Sequence, residues 1–330
     1  MVDKVSYGKA LLQGFDHLLS NHPEVFVIGQ GLWSPWYVGS SMTDLEKKFG
    51  KDRVIDTPVS EMACTGAAIG ASLAGYKAVV VHPRIDFMIL ATDQIVNQAA
   101  KWHHMLGGSA SPAVTIRGII NRGGEQGAQH SQALHSWFAH IPGLRVVMPA
   151  TVRDARDLLV SSVLCDSPVL FIDDRWLYDQ EDEIGAVSEF PLETVGPEVR
   201  ATGGDISLVA CGYSVYQAIE AANALQKENI SAEVIDLRVL NPVDWDIVVS
   251  SVEKTGRLLA VDGGWSNCGM AAEIIAAVTE KMDWKKLNGP PARITLTDSP
   301  APTSAPLEDL YYTKTGDIVR QAKRMLGARN

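Results

Sequence analysis

The segment Asp56-Thr57-Pro58-Val59-Ser60-Glu61, followed by a glycine- and alanine-rich run from Met62 to Gly75, delivers one carboxylic acid to the start of a helix. The residue before a proline is pushed toward extended backbone, so the chain arrives extended at Thr57 and then enters a helix capped by Ser60 or a nearby polar group. Small residues recur at Gly66, Gly70 and Ala74, with Ala63, Ala67 and Ala71 beside them, and such a surface admits another backbone or a flat ligand but no bulky partner. Glu61 can be a first-turn acid favoured by the helix dipole, worth about 0.3–1 kcal/mol. The alternative is an acid held against a ligand. Phe87, in Ile85-Asp86-Phe87-Met88, is either a core aromatic opening a helix or a ring wall. His130 lies in Ala128-Gln129-His130-Ser131-Gln132, after a glycine-rich stretch, where a histidine can be structural or can exchange hydrogen bonds with a reacting oxygen. The run Arg117-Gly118-Ile119-Ile120-Asn121-Arg122-Gly123-Gly124 reads as a flexible cationic loop, able to meet phosphate, carboxylate or a partner subunit, or simply solvated. His103, His104, His135 and His140 show no ligand spacing and read as structural.

These residues must be positioned by an alternating pattern of strands and helices. Val25 to Gly29, Lys77 to Val81, Ala113 to Gly118, Leu144 to Met148 and Pro168 to Asp173 are short, β-branched and bounded by turn residues. Helices fit at Lys9 to Asn21, Ala63 to Ala74, Phe87 to Trp102 and Thr151 to Cys165. Such alternation predicts an α/β fold with a parallel sheet covered by helices on both faces. The stretch from about Tyr178 to Gly204 is acidic, rich in Pro and Gly and without periodicity. A second, smaller α/β pattern follows, with strands at Ile206 to Cys211, Ala232 to Asp236, Arg257 to Asp262 and Arg293 to Leu296. Its helices fall at Ser214 to Lys227, Val243 to Lys254 and Met270 to Met282. The expected division is a first domain over residues 1–185, a linker over 186–204 and a second domain over 205–330, each doubly wound.

At 330 residues the chain is long enough for two such cores, and 46% hydrophobic with 21% charged residues excludes a disordered or fibrous class. A formal net charge of -10 without a basic run argues against nucleic acid or an anionic membrane as partner. Cys64, Cys165, Cys211 and Cys268 are scattered without metal-ligand spacing and read as buried thiols of a reducing compartment. No apolar stretch is long enough to span a bilayer, and Met1 to Tyr7 lacks the apolar core of a leader, so a cytoplasmic protein is expected.

The stretch Arg53 to Glu61 resembles the beta subunits of thiamine-diphosphate-dependent 2-oxo acid dehydrogenases, in their decarboxylating component. The resemblance continues through Ala128-Gln129-His130-Ser131-Gln132, through Val234-Ile-Asp-Leu-Arg238 with Asn241-Pro242, through Val261 to Glu273 and through Asp298 to Glu308. It implies an N-terminal domain that binds the cofactor's pyrimidine and a C-terminal domain of transketolase type. Glu61 would touch the aminopyrimidine and promote proton abstraction from the thiazolium carbon. Phe87 would stack on that ring, and His130 would face the reactive end. The cofactors implied are thiamine diphosphate and Mg, with no metal ligand in this chain, because no Gly-Asp-Gly segment with a later Asn is present to hold the diphosphate and metal. An alpha-type subunit would supply them in an α₂β₂ assembly, with a lipoyl-bearing acyltransferase as a further partner.

The pattern departs from the family at two places. Gly29-Gln30-Gly31-Leu32-Trp33 lacks the acidic pair usual there, and Val81-His82-Pro83-Arg84-Ile85-Asp86-Phe87 replaces another acid with a cation beside the ring wall. Arg84 with His82 is therefore expected to contact an anionic part of the substrate or cofactor, the alternative being an Arg84 paired with Asp86 at a strand end. Arg117 is a third candidate for substrate binding. These changes lean toward a split transketolase-like subunit that moves a two-carbon ketol unit between sugars, whereas the matches around Glu61 and His130 lean toward the 2-oxo acid dehydrogenase. A non-catalytic structural subunit is a third reading, disfavoured by the joint presence of Glu61, Phe87 and His130.

Overall fold

The computed structural model describes residues 4–327, so the first three residues of the N-terminal heptapeptide lie outside it. The chain divides into two units, one made of Met1–Arg122 with Gln129–Val195 and the other of Gly123–Ala128 with Gly196–Asn330. The expected linker over residues 186–204 is thus shared out, its first part with the N-terminal unit and the rest with the C-terminal one.

In the N-terminal unit, helix α1 (Tyr7–Asn21) precedes strand β1 (Val25–Gln30), β2 (Val54–Thr57), helix α2 (Glu61–Leu73), β3 (Lys77–His82), β4 (Val114–Ile120), β5 (Arg145–Val147), helix α3 (Val152–Leu164) and β6 (Val169–Asp174). The strands lie in the order β5-β6-β4-β3-β1-β2 and every neighbouring pair is parallel. All seven residues of β4 and all six of β6 are buried, as helices on both faces require of a central parallel strand. Strand order reverses beside β1, since β2 pairs on one side of it and β3 on the other. Such a switch point leaves a crevice at the carboxyl ends of the strands, the usual ligand position in an open α/β sheet. Gly29 sits there because nothing larger fits: a Cβ on it would stand 2.4 Å from the Val81 carbonyl oxygen.

Two local expectations fail. Ser60 makes no side-chain capping bond to α2, although the helix does begin at Glu61. The single helix expected over Phe87 to Trp102 is instead a short α-turn at Ile85–Met88, a 3₁₀ turn at Ile89–Ala91, a π-helical segment at Gln94–Ala99 and another α-turn at Trp102–Met105. The wider π turn lets Ile95, Ala99 and Ala100 all enter the core while Leu90 stays 65% exposed. On α2 the buried face is Thr65, Ala68, Ile69 and Ser72, so Ala63, Ala67, Gly70 and Ala74 remain exposed.

The C-terminal unit has β7 (Glu198–Ala201), β8 (Ile206–Ala210), β9 (Ala232–Asp236), β10 (Leu258–Trp265) and β11 (Ala292–Leu296) in the order β11-β10-β8-β9-β7. Four strands are parallel and β7 runs antiparallel at the edge. Helices Tyr213–Gln226, Asp246–Thr255 and Met270–Lys281 connect them, and Ala305–Tyr311 and Thr315–Met325 complete the unit beyond the last strand expected from sequence. Residues 123–128 join this unit through the Glu125 backbone N–H, which donates to both Glu308 carboxylate oxygens at 3.0 Å, and the Ala305 N–H, which donates to Glu125 Oε1 at 3.0 Å. The four cysteines are free, and only Cys165 and Cys211 are buried; Cys64 is half-buried and Cys268 exposed, which corrects the expectation of four buried thiols. Among the described residues no helix is long and apolar enough to cross a membrane.

Candidate active site

Glu61 opens α2 immediately above the switch point. Gly29, Gln30, Thr57, Pro58, Ser60, Glu61, Cys64, Val80, Val81, His82 and Pro83 line one crevice, which draws on the ends of β1, β2 and β3 and the first turn of α2. The loop after β1 is tied to β2 by the Gly31 N–H, which donates to Asp56 Oδ1 at 2.6 Å. The Thr57 hydroxyl, buried beside Glu61, has no protein partner. An orphaned buried hydroxyl carries a desolvation cost, which makes it a candidate contact for a ligand in the crevice.

Two residues past Pro83 the chain turns into Ile85–Met88, and the Phe87 ring meets the His130 imidazole edge-on, centroids 5.5 Å apart and planes at 84°. Phe87 and His130 are half-buried, as a ring wall and a reacting group open to a ligand must be. Asp86 positions the histidine segment from below: its Oδ1 accepts from the Gln132 N–H at 3.2 Å and from Gln132 Nε2 at 2.9 Å. Burial raises the Asp86 carboxyl against these hydrogen bonds, and its Oδ2 is buried without a partner. The backbone that leads to His130 needs left-handed conformations, with positive φ at Gly123, Gly124, Glu125 and Gly127.

The basic candidates separate. The Arg84 guanidinium lies over the Phe87 ring, 6.0 Å from its centroid. His82 does not join it as a cation: burial drives its pKa down to about 4, and Nε2 faces the Thr65 hydroxyl at 3.2 Å. Arg117 falls in the strand expected over Ala113 to Gly118 and not on the cationic loop also expected to begin there. It lies in the middle of β4, 0% exposed, with Nε and Nη2 on the two Asp173 oxygens at 2.8 Å each and Nη2 also donating to the Tyr178 hydroxyl at 2.8 Å. Burial works against its charge, but Asp173 and Tyr178 more than restore it, so Arg117 remains a structural cation inaccessible to substrate. The strand runs through Arg117 because its partner acid comes from the neighbouring central strand, β6, where Phe171 stands opposite in register.

Glu61 and the unpartnered Thr57 hydroxyl share one crevice, whereas Phe87 and His130 meet each other and are not among the residues that line it. Among the described residues no cluster of three His, Cys, Asp or Glu side chains able to hold a metal ion includes Glu61, His82 or His130. Sequence reasoning missed the unpartnered Thr57 hydroxyl and the Asp86–Gln132 pairing.

A fold of this kind, with its crevice at the β1–β3 switch point, is that of the transketolase class: residues 3–180 match the transketolase pyrimidine binding domain and residues 197–318 the transketolase C-terminal domain. The chain belongs to the family that contains the beta subunits of pyruvate dehydrogenase E1 and of acetoin oxidoreductase. It is 37% identical to the acetoin:2,6-dichlorophenolindophenol oxidoreductase subunit beta of Cupriavidus necator, covering 99% of this chain and 98% of that one. It is 34% identical to the mitochondrial pyruvate dehydrogenase E1 component subunit beta of Bos taurus, covering 98% and 91%. A split gene transketolase, solved as an inactive beta4 tetramer, shares the fold with a TM-score of 0.77 at 20% identity over 98% of this chain and 97% of that one.

Proposed function

We propose that this chain is the beta-type half of a thiamine-diphosphate-dependent enzyme acting on a 2-oxo acid, with Glu61 as the group that touches the cofactor. The observation that carries the reading is Glu61 at the head of α2, lining the switch-point crevice with the unpartnered Thr57 hydroxyl. When bound, the cofactor supplies the carbanion that adds to a substrate carbonyl. Glu61 would hold a proton at the aminopyrimidine nitrogen, Phe87 would fix the plane of that ring, and His130 would exchange a hydrogen bond with the substrate oxygen. Asp86 keeps the His130 segment in register through Gln132. The diphosphate and Mg are assigned to an alpha-type partner, in an α₂β₂ assembly, since this sequence lacks a Gly-Asp-Gly segment with a later Asn. A lipoyl-bearing acyltransferase would accept the acyl group. Free cysteines suit a reducing cytoplasm.

Transfer of a two-carbon ketol unit between sugars is the second reading, favoured by Arg84 beside Phe87. The test of the first is Glu61→Gln and Glu61→Ala in the complex reconstituted with its partner. Turnover falls at least ~100-fold if Glu61 is the proton-bearing group; unchanged turnover refutes the role and returns the structural-subunit reading. A lipoyl protein co-purifying with the complex selects 2-oxo acid oxidation over ketol transfer.

A further inference from the structure

Two imidazoles and a carboxylate converge where α1 ends. His17 lies near the carboxyl end of α1, and His22 is the first residue past it, with extended backbone at φ -122° and ψ 94°. On an unbroken helix, residues at this spacing would stand about 140° apart around the axis. The extended backbone at His22 instead brings its ring beside that of His17, with centroids 6.3 Å apart. Both Nε2 atoms then face one oxygen: His17 Nε2 stands 2.7 Å and His22 Nε2 3.1 Å from Glu189 Oε1. Among the described residues these two imidazoles are the ion-pair partners of Glu189, and no lysine or arginine joins them. The remaining ring nitrogens also have neighbours. Glu24 Oε1 stands 3.6 Å from His22 Nδ1, and Asn21, one helical turn on from His17, places its amide nitrogen 3.1 Å from His17 Nδ1.

Both sides of the cluster are anchored. Gly14 lets α1 close on α3, since a Cβ there would stand 3.3 Å from the Arg156 carbonyl oxygen. The buried Arg156 guanidinium in turn donates to the carbonyl oxygens of Gly185 at 2.7 Å and Ala186 at 2.8 Å, and Asp157 Oδ1 accepts from the Ser188 N–H at 3.4 Å. On the helix side, Arg53 Nη2 donates to the His22 carbonyl oxygen at 2.9 Å. Glu189 is therefore presented by a tethered segment to a fixed pair of rings.

We propose that His17, His22 and Glu189 form a zinc-binding site that clasps the end of α1 to residues 183–191. The three donor atoms lie within 4.8 Å of one another. Tetrahedral Zn²⁺ with ligands at about 2.0–2.2 Å sets them about 3.3 Å apart, so the contacts of 2.7 and 3.1 Å need open only slightly. On binding, each neutral imidazole carries its proton on Nδ1 and offers the Nε2 lone pair to the metal. Glu24 then accepts from His22 Nδ1, and rotation of the Asn21 amide turns its oxygen to His17 Nδ1, the outer partners that a metal-bound histidine requires. Two imidazoles with one carboxylate select zinc over magnesium or calcium, which take oxygen ligands. The side chains of His17, His22 and Glu189 are 25%, 21% and 44% exposed, which leaves the fourth position to water. The site uses none of Glu61, Phe87 or His130, so it stands or falls apart from the cofactor reading.

The test is calorimetric titration of Zn²⁺ into the full chain, free of any affinity tag and stripped with EDTA. One saturable equivalent per chain is expected, weakened at least ~100-fold in His17→Gln, in His22→Gln and in Glu189→Ala, and about 10-fold in Glu24→Gln. Zinc should also raise the Tm of the wild type and slow proteolysis within residues 183–191, and do neither in the double variant His17→Gln with His22→Gln. The readout is the increment on adding zinc, so a variant that starts less stable still reports. Cys64, Cys165, Cys211 and Cys268 remain free thiols in every variant. Equal zinc affinity in the wild type and the double variant would place the ion on those thiols and overturn the site. Absence of zinc binding, or an equal response to Mg²⁺, would also overturn it, and zinc bound without protection of residues 183–191 would overturn the clasp.

Discussion

His82 should make the protein acid-labile in a defined window. Its side chain is 2% exposed, and burial takes its pKa from 6.5 in the unfolded chain to about 4 in the folded one. Between those values the unfolded chain holds a proton that the folded chain does not, so acidification favours unfolding. The stability difference is fully present above 6.5, is lost as the pH falls toward about 4, and levels off below it, where both states are protonated. The size is about 3 kcal/mol across the window. The perturbation is His82→Gln, which keeps an amide within reach of Thr65 but cannot titrate. Urea denaturation of wild type and variant at several pH values between 7.5 and 3.5 isolates the term, because every other titrating group cancels in the difference. The wild type should lose about 3 kcal/mol more than the variant on going from pH 7 to pH 4. Parallel pH profiles, or an NMR titration of the His82 ring near its ordinary pKa, would refute the reasoning and restore His82 as a possible anion ligand.

Arg117→Met should destabilise the chain by about 3–5 kcal/mol, since it strands Asp173 in a fully buried position. Arg117→Met combined with Asp173→Leu should recover most of that loss in urea denaturation; failure to recover would mean that Tyr178 and packing, not the buried charge, set the cost. Gly29→Ala should cost about 2–3 kcal/mol, because the added methyl would meet backbone of β3 rather than a yielding side chain. A loss below about 0.5 kcal/mol in the same assay would show that β1 and β3 separate easily at the switch point.

Much of the parallel architecture was legible because its strands are uninterrupted apolar runs such as Val79-Val80-Val81, and a strand buried on both faces leaves no other pattern. The failure at Arg117 is of another kind. The apolar run that marked a strand over Ala113 to Gly118 includes Arg117, but nothing local shows its charge to be buried, because the Asp173 that neutralises it is 56 residues away. The break-up of the helix expected over residues 87–102 was equally hidden, since a π turn is chosen by packing against a neighbour rather than by local propensity. The helix start at Glu61 was legible from Pro58 and the small residues that follow. The Asp86–Gln132 pairing was not, because its two residues stand 46 positions apart in the chain.

The hexapeptide 123–128 belongs to the C-terminal unit while the histidine two residues later belongs to the N-terminal one. Anyone building chimeras of this chain with a relative therefore cannot splice once near residue 195. A hybrid made that way would carry one parent's Glu125 against the other parent's Glu308 and Ala305, with the mismatch delivered straight into the segment that holds His130. Transplanting residues 123–128 together with the C-terminal half is the smallest exchange that respects how the chain is threaded.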